Sequence, residues 1–318
     1  MEQRGCSRVL VAIGGNAIAP SGDGEEDQRS AVLYAMEQVA RLLKEGHEVV
    51  LTHGNGPQVG HLVAQNESAI GTVPRATLDV CVAQTQASIG LMMTVALEQV
   101  LVDNQVERKA ATLLTRVRVS PQDPAWESPT KPIGGLLNAE QNHRLLGEGS
   151  ATAAAGTQHW RRVVASPDPL EVVDIEAIEA LLAAGVVPIV AGGGGIPGVR
   201  EGSSWRGVEA VLDKDLTAAL LGRDLRVDCL VIATDVSHVV VHYGRPEERP
   251  LHRVTATELR SYASSGHFPA GSMGPKVEAA ARFVENGTGR AVITSLAGIY
   301  EAANGVGGTV VEPGGRAA

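Results

Sequence analysis

The sequence predicts an α/β protein whose mainly parallel sheet is covered by helices on both faces. Three observations carry this. Short, uniformly apolar runs alternate with longer stretches of helical periodicity, the apolar runs end in glycine-rich turns, and they lack the polar alternation of a sheet with one wet face. With 318 residues, 44% of them hydrophobic, the chain can bury one large core or two smaller ones.

The first strand is "RVLVAI" at 8–13, ending in Gly14-Gly15-Asn16, and a helix follows over about 26–45. "HEVVLTHG" is the next strand and ends in Gly54-Asn55-Gly56. Helical spacing returns in "LDVCVAQTQASIGLMMTVALEQVL" and "DIEAIEALLAAG", while "AATLLTRVRV", "VVPIVAG", "CLVIATD" and "RAVITS" read as strands. Between Ser120 and Ser166 the pattern lapses into Pro, Gly, Gln, Ala and Trp, which reads as a small insertion or flap.

Net charge −9 and a pI near 5.5, with no block of Lys and Arg, argue against a nucleic-acid or membrane-surface partner and favour small-molecule chemistry. Three cysteines, Cys6, Cys81 and Cys229, show no CxxC or Cys/His spacing, which fits a reducing compartment, no structural zinc and a cytoplasmic location. The apolar run before Gly14 is too short for a signal peptide. The longest uncharged run, Leu181 to Val199, holds two prolines and six glycines and reads as helix end, strand and loop, not as a membrane span.

In an open α/β sheet, ligands bind at the carboxyl ends of the strands. Here "AIGGNA", "THGNGPQ" and "VAGGGGIPG" each follow a strand, and together they point to a phosphate or carboxylate ligand held by backbone N–H groups. The chain has no GxxxxGK[ST] and no GxGxxG opening a helix after the first strand, so the cradle is neither a P-loop nor a dinucleotide fingerprint.

Lysine is scarce: of 27 basic residues only Lys44, Lys109, Lys131, Lys214 and Lys276 are Lys. Three of the five lie among Gly, Pro or Asp, in "SPTKPIGG", "VLDKDLTAAL" and "GSMGPKVEAA". Asp213 can cap a helix with Lys214 and Asp215 in its first turn. A lysine there opposes the helix dipole and makes better sense beside a bound anion. Asp215 could hold the lysines while Lys214 and Lys276 surround a transferring phosphoryl group, the division of labour that phosphoryl transfer needs. The helix of the last motif is expected to begin at Lys276, after the loop "GHFPAGSMGP".

These residues carry a resemblance. "AIGGNAI", "LTHGNGPQVG", "LDVC", "SPTKPIG", "WRRVV", "GGGGIP", "VLDKDL", "TDV" and "GSMGPKVEAA" occur in the same order as in the carbamate kinase family of the amino acid kinase superfamily, along nearly the whole chain. The resemblance implies a three-layer α/β/α sandwich with a small protruding flap (about 120–165), formed by a single domain over 1–318. A half of about 1–190 would bind carbamate and a half of about 191–318 the nucleotide. It further implies a homodimer that interconverts ATP plus carbamate with ADP plus carbamoyl phosphate, using Mg²⁺.

By the same resemblance Gly14, Gly15, Asn16, Gly54 and Asn55 would surround the carbamate. Lys214 and Lys276 would stabilise the phosphoryl, Asp215 would organise them, and Lys131 would enter from the flap. Gly193, Gly194, Asp235, Met273, Gly274 and Lys276 would lie at the nucleotide or its phosphates.

The departures from the family cluster. Where it reads close to DVCGAMSQGMIG, this chain has "DVCVAQTQASIG", with Val82, Gln84, Thr85, Ala87 and Ser88 in altered positions. The flap reads "GLLNAEQNHRLLGEG", and "ASP" at Ala165 to Pro167 replaces PSP. The changed helix bears on packing, on a dimer seam or on the identity of the acid phosphorylated. His53 is expected to brace its loop, because an anionic carbamate needs no general base. Cys81 reads as core, and one of Arg161 and Arg162 is expected to approach the site. The alternatives are a kinase for another small acid and a nucleotide-binding homologue without turnover.

Overall fold

Strand Arg8–Ile13 pairs in parallel with Glu48–His53 on one side and Cys229–Thr234 on the other, which places it inside the principal sheet. In the computed structural model, which describes residues 7–18, 24–147, 149–268, 271–287 and 289–314, that sheet has eight strands. From one edge to the other they are Arg253–Thr255, Thr309–Glu312, Arg290–Ser295, Cys229–Thr234, Arg8–Ile13, Glu48–His53, Val186–Ile189 and Lys109–Thr112. All neighbours are parallel except Arg290–Ser295 with Thr309–Glu312. Strands from both ends of the sequence thus share one sheet.

The uniform apolarity of these strands has the expected cause. Successive side chains point to opposite faces. Val9, Val11 and Ile13 pack with Met36, Val39, Ile89, Met93 and Leu97 of the helices Glu25–Lys44 and Leu78–Asp103. Leu10 and Ala12 pack on the other face, in a cluster with Ala218, Leu221, Ala280 and Phe283 of the helices Lys214–Asp224 and Met273–Asn286. Each fully buried aliphatic or aromatic side chain contributes roughly 1.5–3 kcal/mol, so the two cores fix the helix layers on the sheet.

Helix Leu78–Asp103 is long and apolar enough to cross a membrane by length and composition, but Cys81, Ile89, Met93, Leu97 and Leu101 lie in the interior. Its outward side exposes Val80, Leu91, Val95 and Val102.

Two expectations need correction, on the strand over 110–119 and on the start of the last motif helix, and the segment after Ser120 gains detail. The single strand read over 110–119 is two: Lys109–Thr112 at the edge of the principal sheet, and Arg116–Arg118 in a separate four-stranded sheet. Thr115 turns the chain between them, its hydroxyl donating to Leu113 O at 2.8 Å and accepting from Ala191 N at 3.0 Å. The lapse after Ser120 holds regular structure, with a three-stranded antiparallel sheet of Lys131–Leu137, Trp160–Val164 and Ala151–Ala154 and the helix Ala139–Gly147. The last motif helix begins at Met273, not at Lys276. Pro275 is tolerated there because the first-turn N–H groups have no intrahelical acceptor. Cys6 lies outside the described residues.

Candidate active site

The parallel strands end along one edge of the sheet, and the glycines stand just beyond it. Gly14 N donates to Ala233 O at 2.8 Å and Gly54 N to Ile13 O at 2.9 Å, so these two N–H groups extend the ladder and are not free donors. Glycine is needed at 54 for close approach, because a Cβ there would lie 2.5 Å from Gly15 N. Gly15 and Gly56 open the helices Gly15–Ile18 and Gly56–Ser68; Ala17 N and Ile18 N donate to Gly14 O and Val59 N to Asn55 O, which leaves the N–H groups of Gly15, Asn16, Gly56 and Gln58 without an intrahelical acceptor. Asn16 lies in the first of these turns and is described in its backbone only.

Asn55 is buried, and its Nδ2 donates to Thr85 Oγ1 at 2.9 Å. Thr85 therefore keeps a hydroxyl pointing at the site, whereas the other departures do not. Gln84, Ala87 and Ser88 are exposed on the far side of the helix, and Val82 packs with Val59, Ile133 and Val211.

The turn after Val186–Ile189 is left-handed at Ala191 (φ 51°), Gly193 (φ 64°), Gly194 (φ 91°) and Gly195 (φ 92°). At Gly193 a Cβ would sit 2.1 Å from Asn55 Nδ2, so glycine serves both the backbone and its neighbour. Buried Gln86, a residue the sequence did not single out, anchors this turn. Its Nε2 donates to Gly192 O at 3.0 Å and Thr115 O at 3.3 Å, and its Oε1 accepts from Thr115 N at 2.9 Å. The available signal was a long polar side chain on the inward face of a helix whose other inward residues, Thr85 apart, are apolar or Cys.

His53 ends its strand in full burial, its Nδ1 donating to Gly54 O at 3.0 Å. That bond requires Nδ1 to carry the proton. Burial, opposed by this bond and helped by nearby Lys214, pushes the imidazole down to about 4, so it is neutral and braces the loop. Cys81 is core as expected, beside Asn66 Nδ2 at 3.3 Å.

The three motif lysines converge on the start of helix Lys214–Asp224. Asp213 caps it, Oδ1 accepting from Asp215 N at 2.9 Å and Leu216 N at 3.4 Å. Its other oxygen accepts from Lys131 Nζ at 2.6 Å, across from the flap. Asp215 Oδ1 pairs with Lys214 Nζ, and Oδ2 lies 3.3 Å from Lys276 Nζ, which also donates to Ser272 O at 3.3 Å. Burial alone would raise the Asp215 carboxyl, but Lys214 and Lys276 beside it hold it below the usual carboxylate range. Burial pushes Lys214 down, Asp215 opposes that, and Lys276 adds to it. The cluster is thus two ammonium groups on one carboxylate, poised to accept a further anion.

Asp235 is exposed just past strand Cys229–Thr234, its Oδ1 accepting from Thr234 Oγ1 at 3.0 Å. Met273 and Gly274 are half-buried in the turn that carries Lys276. Neither arginine of "WRRVV" reaches the lysines: Arg161 is exposed, and Arg162 pairs with Glu67 of the Gly56–Ser68 helix. Among the described residues no group of three or more His, Cys, Asp or Glu is placed to hold a metal ion.

Residues 7–295 match the Amino acid kinase family. The chain is 42% identical over 311 residues to the carbamate kinase of Pyrococcus furiosus, covering 96% of this chain and 99% of that one. It is 40% identical over 308 residues to the carbamate kinase-like protein YqeA of Escherichia coli, covering 96% and 98%. The solved carbamate kinase from Giardia lamblia bound to AMP-PNP superposes with a TM-score of 0.90 at 38% identity, covering 98% of this chain and 99% of that one.

Proposed function

The chain belongs to the amino acid kinase family and to its carbamate kinase branch, and we propose that it moves a phosphoryl group reversibly between ATP and carbamate with the residues gathered around Asp215. The observation that carries the assignment of residues is the convergence of Lys131, Lys214 and Lys276 on two adjacent carboxylates at one helix start. Charge neutralisation and positioning are the whole demand of such a transfer.

In the direction of ATP formation, a β-phosphate oxygen of ADP attacks the phosphorus of carbamoyl phosphate. The bond from phosphorus to the carbamate oxygen breaks, and carbamate leaves as an anion that needs no proton. Lys214 and Lys276 neutralise the equatorial oxygens in transit, Asp215 keeps the two ammonium groups apart and aimed, and Lys131 closes from the flap. Gly14, Gly15, Asn16, Gly54 and Asn55 form the carbamate end, with first-turn N–H groups as donors. The Gly193-Gly194 turn borders the phosphates between Asn55 and helix Lys214–Asp224. Asp235, Met273 and Gly274 lie on the nucleotide side.

Mg²⁺ would neutralise phosphate charge and would be held mainly by the nucleotide, since Asp213 and Asp215 already pair with lysines. On this reading a half over about 1–190 takes carbamate and a half over about 191–318 the nucleotide. The outward apolar side of Leu78–Asp103, with Val80, Leu91, Val95 and Val102, supports a homodimer, and a monomer by sedimentation at micromolar concentration would remove that part of the proposal.

The test of substrate is ATP formation from MgADP with carbamoyl phosphate or acetyl phosphate. Preference for carbamoyl phosphate supports the proposal. Turnover of acetyl phosphate alone would assign the chain to another small acid, and no ATP from either would leave a binding homologue.

A further inference from the structure

The flap stands over a void. Along strand Lys131–Leu137, Lys131 and Ile133 project from the same face. Ile133 packs on Val59 and Val63 at the flap's root. There a Cβ on Gly60 would lie only 2.3 Å from Gly134 Cα, so helix and flap strand touch backbone to backbone. Beyond that contact a cavity of 490 Å³ separates flap from body, lined by Asn66, Cys81, Trp126, Ser150, Arg162 and Val164 among others. Val164, opposite Lys131, packs on the same cluster, and Ala165 O accepts from Val211 N at 3.1 Å, so packing and backbone bonds hold both flap strands at the root, and any further attachment lies across the cavity.

Across the cavity the attachment is ionic. Arg162 Nη1 pairs with Glu67 on the Gly56–Ser68 helix, and its Nη2 donates to Ser150 Oγ at 3.2 Å. The two charged side chains are 14% and 20% exposed, so solvent and salt screen the pair little. The strand register connects this pair to the site: Arg162 stands opposite Ile133, and Val164 opposite Lys131. Lys131 in turn reaches Asp213 at 2.6 Å.

We propose that the Glu67–Arg162 ion pair is a clamp that positions Lys131 over the transferring phosphoryl group, acting through the paired flap strands Trp160–Val164 and Lys131–Leu137. Both are positioning residues, and neither touches substrate. The clamp explains why "WRRVV" carries an arginine that turns away from the lysines. Without it the flap keeps its root but loses its hold across the cavity, and Lys131 is held less firmly over Asp213. The inference rests on the carbamate kinase reading for the role of Lys131 and for its activity readout.

The test is a double-mutant cycle on kcat/KM for carbamoyl phosphate. Arg162→Ala should lower it about tenfold with KM for MgADP unchanged, and should cost less than about twofold once Lys131→Ala is present, because both changes remove the same interaction. Equal losses in both backgrounds, or no loss in the first, would overturn the clamp. Amide hydrogen exchange over residues 131–137 gives a readout independent of turnover, in Glu67→Gln, which keeps the side chain's shape. Exchange should quicken about tenfold or more relative to the unaltered chain, and an unchanged rate would equally overturn the proposal. Were the unaltered chain to form no ATP, the carbamate kinase reading would fall and the exchange rates alone would decide the clamp.

Discussion

Replacing Asp215 with Asn keeps the shape of the side chain and removes the one carboxylate shared by two ammonium groups. Lys276 Nζ lies 3.3 Å from Asp215 Oδ2, and at an effective dielectric near 20 that separation corresponds to about 5 kcal/mol of gross attraction. Desolvation offsets much of it, but removing one partner of a buried pair leaves the other charged and alone. Asp215 is 3% exposed and Lys214 9%. Losses of this kind run to roughly 3–5 kcal/mol, and about 3 kcal/mol is expected here because Lys276 retains Ser272 O. Urea unfolding with and without inorganic phosphate measures it. An anion between the lysines supplies what Asp215 supplied, so phosphate should stabilise the variant more than the unaltered chain. A loss below about 1 kcal/mol, the scale of an exposed pair, with equal gains from phosphate in both proteins, would refute the arrangement.

Gln86→Leu should cost about 3 kcal/mol in chemical denaturation and slow phosphoryl transfer, because it orphans Thr115 N and the carbonyls of Gly192 and Thr115. Gly193→Ala should lose roughly 1–3 kcal/mol and displace Asn55, which a drop in kcat/KM for carbamoyl phosphate would report, since its Cβ would lie 2.1 Å from Asn55 Nδ2 at a φ of 64°. His53 yields a pH prediction with a definite sign. Between pH 6.5 and about 4 the unfolded chain binds a proton that the buried native imidazole refuses, so stability falls as pH drops through that window, by up to about 3 kcal/mol. Denaturation midpoints of His53→Asn should show a shallower slope there, and an identical slope would mean that His53 is protonated in the native state.

The strands were legible because burial on both faces leaves them no polar alternation, and Arg8–Ile13 and Arg290–Ser295 have the bounds that rule gives. Lys131, Lys214 and Lys276 stood out chemically, and the fold brings them together from the flap and two helices. What escaped was set by tertiary contact. The apolar run 110–119 looked continuous until the Thr115 hydroxyl, bonded to a distant turn, divided it between two sheets. Helix Gly56–Ser68 was hidden by its opening Gly and Pro, though Pro suits a first turn. The glycines were read as donors of N–H groups, whereas Gly14 and Gly54 use theirs in the ladder and serve through close approach. The altered helix resolved by facing: Gln84, Ala87 and Ser88 point outward, and Gln86 and Thr85 inward, which periodicity could suggest but only the packed neighbours determine.

If the two lysines held by Asp215 stabilise the phosphoryl group in transit, loss of either must slow its transfer. Steady-state ATP formation from carbamoyl phosphate and MgADP tests it most directly, comparing the unaltered chain with Lys214→Ala and Lys276→Ala after each variant is shown to retain its fold by circular dichroism. Each variant should lose about 10²-fold or more in kcat, the cost of removing a donor used in the transition state. Rates equal to those of the unaltered chain in either variant would contradict the account.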